Sequence, residues 1–218
     1  MNKNNFIGEA NTMLEIRLAK TPEEKEQVFR LRYQIYVEEI GYTLKYTNHN
    51  NDKIEEPLDN SGNIFVAFKD GELVGTARSN YAKNSDLGYY TELYKMREIA
   101  KNEHPLSTSI GTKFMIQKHL RGSRIAFGIM QTHYNQLLLD QIKFDFIDCE
   151  PHMIPFFQKL GYQTIDMINH PEYGSGMAMM LDVFNLKHLQ RVKSPFMRLH
   201  IKDFNFSKHG INIVNIKP

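Results

Sequence analysis

The sequence lacks several features that would assign a protein class at once. It has no tryptophan and a single cysteine, Cys149, which excludes an intramolecular disulfide framework and is typical of a reducing compartment. No window approaches the roughly 18 apolar residues of a membrane span, and the first residues, MNKNNFIGEANTM, lack the apolar stretch of a signal peptide. We therefore predict a cytoplasmic protein with no membrane span.

The chain also has little excess of either charge, since 27 basic and 25 acidic residues leave a formal net charge of +2. This balance argues against a nucleic-acid partner. The 218 residues are 41% hydrophobic and show no repeat and no low-complexity linker, so a single domain over 1–218 is expected. Within it, we expect 1–13 to be flexible and 185–218 to form a C-terminal extension.

Hydropathy patterns alternate between the period of a strand and that of a helix. The sequence TPEE predicts an N-cap at Thr21 and a helix from Pro22 to about Glu39, and Asp70-Gly71 predicts a tight hairpin turn. The polar segment 43–62 is too long for a simple connector and is a candidate functional loop. Further strands are predicted at 15–20, 109–116, 143–150 and 177–184, helical segments at 86–100, 119–142 and 151–161, and a short helix with one more strand after 185. This order predicts an α/β or α+β domain with a mixed sheet.

The stretch Arg121–Ala126 follows a predicted strand and opens a predicted helix. The free N–H groups and the dipole at such a helix N-terminus favour a phosphate, and Lys118, Arg121 or Arg124 can add charge-assisted hydrogen bonds. A solvated basic face is the alternative interpretation of these charges.

This stretch resembles the acyl-donor motif of the GNAT acyltransferase superfamily, Gln/Arg-x-x-Gly-x-Gly/Ala. Arg121 fills the first place and Ala126 the last, while Arg124 stands where the middle glycine belongs. The flanking SIGTKFMIQKHLRG and HMIPFFQKLGY extend the resemblance to about 15–184. It implies a mixed, mainly antiparallel central sheet, flanked by helices and splayed to admit an acyl donor. It also implies no permanently bound cofactor and no metal, with acyl-CoA or an acyl-phosphopantetheine carrier as co-substrate. The donor-binding residues so implied are Phe114, Ile116, Arg121, Gly122, Ser123, Arg124, Ile125 and Ala126.

A narrower resemblance lies in the first half of the chain. LRYQIYVEEIGY, the acidic loop NDKIEEPLD and LVGTAR are similar to segments of acyl-homoserine-lactone synthases and N-acyl amino acid synthases. Those enzymes transfer long acyl chains, commonly from acyl carrier protein, to an amino-acid-derived amine. The resemblance implies that Arg32, Tyr36, Tyr42 and Arg78 bind substrate and that Glu56 and Asp59 orient the amine.

The usual GNAT proton-transfer residues are absent. Phe157 occupies the place of the tyrosine that protonates the thiolate, and the preceding strand, Ser109–Phe114, has Lys113 as its only charge in place of a glutamate. The remaining candidates cluster near the end of the strand KFDFIDCE: Asp148, Cys149, Glu150 and His152. We take His152 first, as base or proton relay, because its unperturbed pKa lies near operating pH. An α-amine acceptor is favoured over a lysine side chain, because its reference pKa is about 7.7–8.0 against about 10.4.

Each assignment has a structural alternative. His152 can pack at a helix end, and Cys149 can be a small buried apolar residue. A solvated loop is the alternative for Glu55, Glu56 and Asp59. Arg32 can cover an apolar stripe with its stem and Arg78 can form a surface ion pair. Met177, Met179 and Met180 can be core residues instead of the lining of an acyl tunnel.

Three functions follow from these residues. The first is an N-acyltransferase that uses a long-chain acyl thioester. The second is an acetyl-CoA-dependent N-acetyltransferase of a small molecule or protein. The third is a non-catalytic module that binds an acyl thioester, as the absence of the usual proton-transfer residues suggests.

Overall fold

The computed structural model describes residues 13–200 and contains a seven-stranded sheet. Its strands lie in the order β1-β4-β5-β6-β7-β9-β8, and every neighbouring pair is antiparallel except β6 and β7. A second, two-stranded sheet, β2-β3, lies within the segment 43–62. The strands are β1 (Leu14–Leu18), β2 (Thr47–Asn48), β3 (Lys53–Ile54), β4 (Asn63–Lys69), β5 (Glu72–Tyr81), β6 (Thr108–Ile116), β7 (Phe144–Cys149), β8 (Gln163–His170) and β9 (Gly174–Asp182).

Helices cover both faces of the sheet. One face of β4 packs against α1 through Ile64 and Val66, and the other face packs against α4 through Phe65 and Ala67. This alternation is the period of two expected of a strand buried on both sides. The helices are α1 (Pro22–Tyr33), α2 (Tyr90–Leu93), α3 (Met96–Ala100), α4 (Arg124–Leu139), α5 (Ile154–Leu160) and α6 (Leu186–Arg191).

The local signals for helix and turn are confirmed. Thr21 caps α1 by accepting a hydrogen bond from the backbone N–H of Glu24. The predicted continuation to Glu39 is present, but as a π-helix over Gln34–Glu39. Asp70 and Gly71 both have positive φ, 52° and 86°, as the tight hairpin turn requires.

Strand β8 is absent from the sequence prediction. Its sequence, QTIDMINH, mixes polar and apolar residues without regular alternation, and most of its side chains are at least partly exposed. It forms the edge of the sheet and pairs with β9 alone. An edge strand receives little of its stability from burial, so hydropathy gives it a weak signal.

The C-terminal region is described up to residue 200. Leu189 and Phe196 are fully buried, and the Phe196 ring stacks on Tyr134 of α4 with centroids 4.1 Å apart. The predicted additional strand was not found between 185 and 200, and residues 201–218 lie outside the described residues, as do nearly all of the N-terminal 1–13. No helix between residues 13 and 200 has the length and apolar character needed to cross a bilayer.

The sheet opens between β6 and β7. The two strands pair from Thr108–Phe144 to Gly111–Ile147, after which β6 follows β5 and β7 follows β9. A shift in the register of β5 with β6 marks a bulge here, and Lys113 has a φ of 56°. Because a bulge bends its strand, β6 turns away from β7. The splayed, mainly antiparallel sheet predicted from the resemblance is therefore confirmed.

Candidate active site

The opening between β6 and β7 holds a cavity of about 690 Å³. It extends from the N-terminal end of α4, at Gly122 and Ala126, to the polar side chains of Arg78 and Lys113. Between them its walls are largely apolar, as in a site for an extended lipid-like group. The apolar lining includes Phe114, Met115, Ile116, Met130, Ile147, Met153 and Phe157.

The predicted donor-binding residues do not all face this cavity. Ser123 caps α4, since its Oγ accepts from the N–H of Ile125 at 3.3 Å. Arg124 is exposed, and the Ile125 side chain is buried in the core beneath α4. The other five line the cavity: Phe114, Ile116, Arg121, Gly122 and Ala126.

Arg121 already has an anionic partner. Its guanidinium donates two hydrogen bonds to the carboxylate of Glu39, at 2.6 and 2.9 Å, and its Nε donates to the carbonyl of Ile116. Glu39 therefore offsets the charge of Arg121 at the mouth of the cavity, where a donor phosphate would also need it.

Glu39→Gln is expected to strengthen the binding of a phosphate-bearing ligand at this mouth, because it removes the carboxylate that competes with a phosphate for Arg121. The expected gain in CoA affinity is about two- to five-fold, the range of an exposed ion pair, and calorimetry at low salt measures it. Glu38→Gln is the matched control, since it removes the same charge from the adjacent residue, which is exposed. Weaker CoA binding by Glu39→Gln would show that the ion pair serves to order the loop instead.

A buried ion network lies behind the polar end of the cavity. Asp59 accepts from Arg32 at 2.7 Å and from Arg78 at 2.9 Å. Glu56 pairs with Arg78 at 2.8 Å and with Lys113 at 2.5 Å. The network holds three cations and two carboxylates, and the side chains of both arginines are 0% exposed.

Four elements build this network, and one of them is β6, which supplies Lys113. The short 3₁₀ turn Pro57–Asn60 begins with a reciprocal cap, in which the side chains of Glu56 and Asp59 each bind the other's backbone N–H. Helix α1 supplies Arg32, and β5 supplies Arg78. The solvent-exposed settings considered for these four residues are wrong: Arg32 is not a snorkelling side chain, Arg78 is not on the surface, and the turn withdraws both carboxylates from solvent.

Charge partners determine the pKa values in the network. Burial raises the pKa of Asp59, but the guanidinium groups of Arg32 and Arg78 outweigh it, and the pKa falls to about 2. Burial likewise opposes ionisation of Glu56, and Lys113 and Arg78 hold its pKa below the ordinary value. Lys113 behaves differently: burial and the charge of Arg78 outweigh the attraction of Glu56 and lower its pKa to about 8.

Aromatic rings surround the Lys113 ammonium. Its Nζ lies 5.3 Å from the centroid of Tyr36 and 4.8 Å from that of Tyr173, and it donates a hydrogen bond to the hydroxyl of Tyr173. Tyr36 stacks on Tyr173 at 5.4 Å, and Tyr42 packs against both rings. The predicted substrate-binding residues Tyr36, Tyr42 and Arg78 thus line the cavity, whereas Arg32 supports it from behind.

His170 fixes the turn that carries Tyr173. Its Nδ1 accepts from the backbone N–H groups of Glu172 and Tyr173, at 3.1 and 3.3 Å. Nε2 is then the protonated nitrogen and donates to the hydroxyl of Tyr89 at 3.3 Å. Burial lowers the pKa of His170, which keeps this neutral tautomer.

The candidates near the end of β7 differ in exposure. Asp148 lines the cavity and accepts a hydrogen bond from the buried Tyr94. Cys149 is buried, and burial raises its thiol pKa to about 12, as for a small core residue and not for a nucleophile. His152 lies at the mouth with its side chain 72% exposed, 3.2 Å from Glu150, so it does not pack at a helix end.

Two parts of the site were missed in the sequence. In the sequence, Lys113 is only the single charge on its strand, and no role is predicted for it. Nothing in SIGTKFMI predicts the bulge that directs its side chain to Glu56 and Tyr173. Tyr173 and His170 were missed together with β8.

A second cavity, of about 270 Å³, shares Tyr90 with the first. Glu56 forms part of its wall, so the Glu56–Lys113 pair lies between the two cavities. Carboxylates and tyrosine rings are groups that attract an ammonium ion. Its other charged and aromatic lining residues are Lys45, Tyr46, Asp86, Tyr89 and Glu172.

Comparison with known proteins identifies the relatives of this chain. The sequence model of the family described as N-acyl amino acid synthase FeeM matches residues 27–182, which confirms the resemblance seen in the sequence. No curated protein matches the chain.

Solved structures share the fold. FeeM, an N-acyl amino acid synthase from uncultured soil microbes, superposes with a TM-score of 0.65 at 17% identity, covering 86% of this chain and 98% of that chain. The CoA-dependent acyl-homoserine lactone synthase BjaI, with SAM and isopentyl-CoA, gives 0.62 at 17% identity, covering 84% and 90%. The aminoglycoside acetyltransferase AAC(6')-Ib, with coenzyme A and kanamycin, gives 0.55 at 16% identity, covering 83% and 99%.

Proposed function

Because this chain belongs to the FeeM family of N-acyl amino acid synthases and is an acyltransferase that acts on an amine, we propose that its donor is a long-chain acyl thioester of phosphopantetheine. We further propose that its acceptor is the α-amine of an amino acid or a related small molecule. The family membership argues against the third function, a non-catalytic binding module.

The observation that carries this proposal is the apolar cavity between β6 and β7, which connects the N-terminal end of α4 to Lys113. A pantetheine arm extended along β6 would place its thioester beside the Lys113 bulge. The apolar lining of this cavity, which includes Met130, Ile147 and Met153, suits a hydrocarbon chain. It therefore favours a long acyl chain over the second function, an N-acetyltransferase.

The donor's phosphates are assigned to the N-terminal end of α4, where free N–H groups and the helix dipole favour an anion. Arg121 and the exposed Arg124 add positive charge there. BjaI and AAC(6')-Ib are both solved with a CoA ligand, which supports a CoA-type donor. An acyl carrier protein presents the same phosphopantetheine thioester and is the alternative carrier.

The acceptor is assigned to the smaller cavity. Its carboxylates and tyrosines suit an ammonium group, and Lys45 is its one lining cation among the described residues, suited to an acceptor carboxylate. Glu56 lies in the wall between this cavity and Lys113. We assign it to orienting the amine, with Asp59 holding it in place through the ion network.

The reaction is a direct aminolysis. Positioning alone supplies effective molarities of about 10⁵–10⁸ M in favourable cases, and the raised pKa of Cys149 argues against a covalent acyl-enzyme. Asp148 is assigned to the polar wall beside the thioester. His152, exposed at the mouth, is proposed to exchange protons between the cavity and solvent.

A thiol-release screen tests this function. Acyl-CoA and acyl carrier protein donors from C2 to C16 are combined with the amino acids and their decarboxylated amines, and products are identified by mass. We expect N-acyl products from chains of C8 or longer and little release from acetyl-CoA. Turnover confined to acetyl donors would favour the N-acetyltransferase, and release that no amine increases would overturn both.

A further inference from the structure

Lys113 and Tyr173 stand where an acyltransferase needs a proton acceptor and a proton donor. Both side chains line the donor cavity, and the ammonium of Lys113 donates directly to the hydroxyl of Tyr173. Lys113 reaches this place because the bulge in β6 gives it a φ of 56°, a strained conformation for a residue with a side chain. The two residues come from elements that are distant in sequence and meet at the point where the sheet opens.

We propose that Lys113 and Tyr173 form the proton relay of acyl transfer, with Lys113 as the base for the attacking amine and Tyr173 as the acid for the leaving thiolate. This inference rests on the proposed function, since it needs an amine and a thioester in the cavity. It assigns the acid role that Phe157 cannot perform, and it gives Lys113 the base role of the glutamate that is missing from β6.

The charge balance of the network explains why Lys113 can act as a base. With Arg32 and Arg78 permanently charged and both carboxylates ionised, the network is neutral when Lys113 is neutral. Burial and Arg78 lower the pKa of Lys113 to about 8, so a useful fraction is unprotonated at neutral pH. The titratable and charged groups that face it are Arg32, Tyr36, Glu56, Arg78, His170 and Tyr173.

The proton transfers accompany the bonds that form and break. The amine nitrogen attacks the thioester carbon, which gives a tetrahedral oxyanion with an ammonium nitrogen. Lys113 Nζ takes one N–H proton, and its new charge stabilises the adjacent oxyanion. The oxyanion re-forms the carbonyl, and the C–S bond breaks with its electron pair on sulfur. Tyr173 gives its hydroxyl proton to the thiolate and regains one from Lys113, so amide and thiol leave both residues as they began.

Substitutions of Lys113 separate a base from a simple charge. Lys113→Met leaves two cations and two carboxylates in the network, so we expect it to fold. Lys113→Arg keeps a positive charge beside Glu56, but an arginine cannot accept a proton at accessible pH. We expect both variants to lower kcat with dodecanoyl-CoA by about 10²–10⁴-fold, the contribution of a general base. Lys159→Met, on an exposed lysine of α5, is the control with unchanged kcat. Activity of Lys113→Arg within three-fold of wild type would overturn the base role.

The leaving group tests Tyr173. Tyr173→Phe is expected to lower kcat about 10²-fold with dodecanoyl-CoA, and to come within a few-fold of wild type with an S-phenyl thioester, whose thiolate needs no proton to leave. An equal loss with both donors would overturn the acid role and leave Tyr173 as packing.

The pH dependence has a defined sign. The active form of Lys113 is neutral, so kcat should rise with pH through about 8 and then level off. A hydrazide nucleophile, which stays unprotonated over this range, ensures that the titration belongs to the enzyme. A flat profile with the hydrazide would contradict the relay.

NMR tests the relay independently of turnover. In protein labelled with ¹³C-lysine, the signal missing from Lys113→Met identifies Lys113, and it should titrate near pH 8. If wild type released no thiol with any donor, the proposed function would fail, while titration of Lys113 above pH 10 would overturn the relay itself.

Discussion

Asp59→Asn is expected to lower the free energy of unfolding by about 3–5 kcal/mol, the usual result of removing one partner from a buried ion pair. Asp59 is the only carboxylate bonded to Arg32 in the described structure and one of two bonded to Arg78. Without its charge, three buried cations face Glu56 alone. The measurement is chemical denaturation at pH 7, with Glu55→Gln as the control, since Glu55 lies in the same loop with its side chain 49% exposed.

The pH dependence of the same variant checks the cause. The folded-state pKa of Asp59 is about 2, below its ordinary value of 3.8, so its ionised form stabilises the folded protein. That contribution is complete above about pH 4 and is lost as the pH falls toward 2. The gap in stability between wild type and Asp59→Asn should therefore narrow over this window.

A double variant separates charge from packing. If unpaired charge causes the loss, Arg32→Met combined with Asp59→Asn should cost less than the sum of the two single changes. Additive losses, or a loss below 1 kcal/mol for Asp59→Asn alone, would show that solvent or other groups already compensate these charges.

The sequence predicted the elements whose signals are local. The cap at Thr21, the turn at Asp70-Gly71 and the strand before Arg121 depend on neighbouring residues, and the structure confirms all three. Edge strand β8 was missed because its stability comes from pairing with β9, a contact distant from any pattern within β8 itself.

The candidate site also contains residues that could be predicted from the sequence and residues that could not. The family resemblance predicted a functional cluster, because four of its residues occur in the same order here: Arg32, Glu56, Asp59 and Arg78. Their burial could not be predicted, because the two carboxylates lie in a polar loop. The position of Lys113 depends on a one-residue bulge, which reverses the direction of a side chain without changing the composition of its strand. The direction of a side chain after such a bulge can be predicted only when the register of the strands is known.

Gly111→Ala is expected to shorten the acyl chains that the enzyme accepts. Gly111 pairs with Ile147 at the last rung before β6 and β7 separate, so it lies at the apex of the cavity, whose wall it forms. A Cβ there would lie only 3.0 Å from Ile147 Cγ2 and 3.2 Å from His133 Cε1, closer than ordinary van der Waals contact, so these two cavity-lining side chains would have to shift at the apex. One methyl group in an apolar pocket discriminates by about 1–3 kcal/mol, which corresponds to about 10–200-fold in kcat/KM.

The test compares kcat/KM across C4 to C16 acyl-CoA for wild type, Gly111→Ala and Ile147→Val. We expect Gly111→Ala to lose activity with the longest chains and to keep it with C4, because the added methyl crowds Ile147 and His133 at the apex and leaves Lys113 and the mouth at Gly122 unchanged. Ile147→Val removes the Cδ1 methyl of a residue that lines the same cavity and should shift the optimum toward longer chains. Opposite shifts from two small changes at one point would locate the end of the acyl chain there. A uniform loss at every length in Gly111→Ala would instead indicate that the strands had moved and that the chain end lies elsewhere.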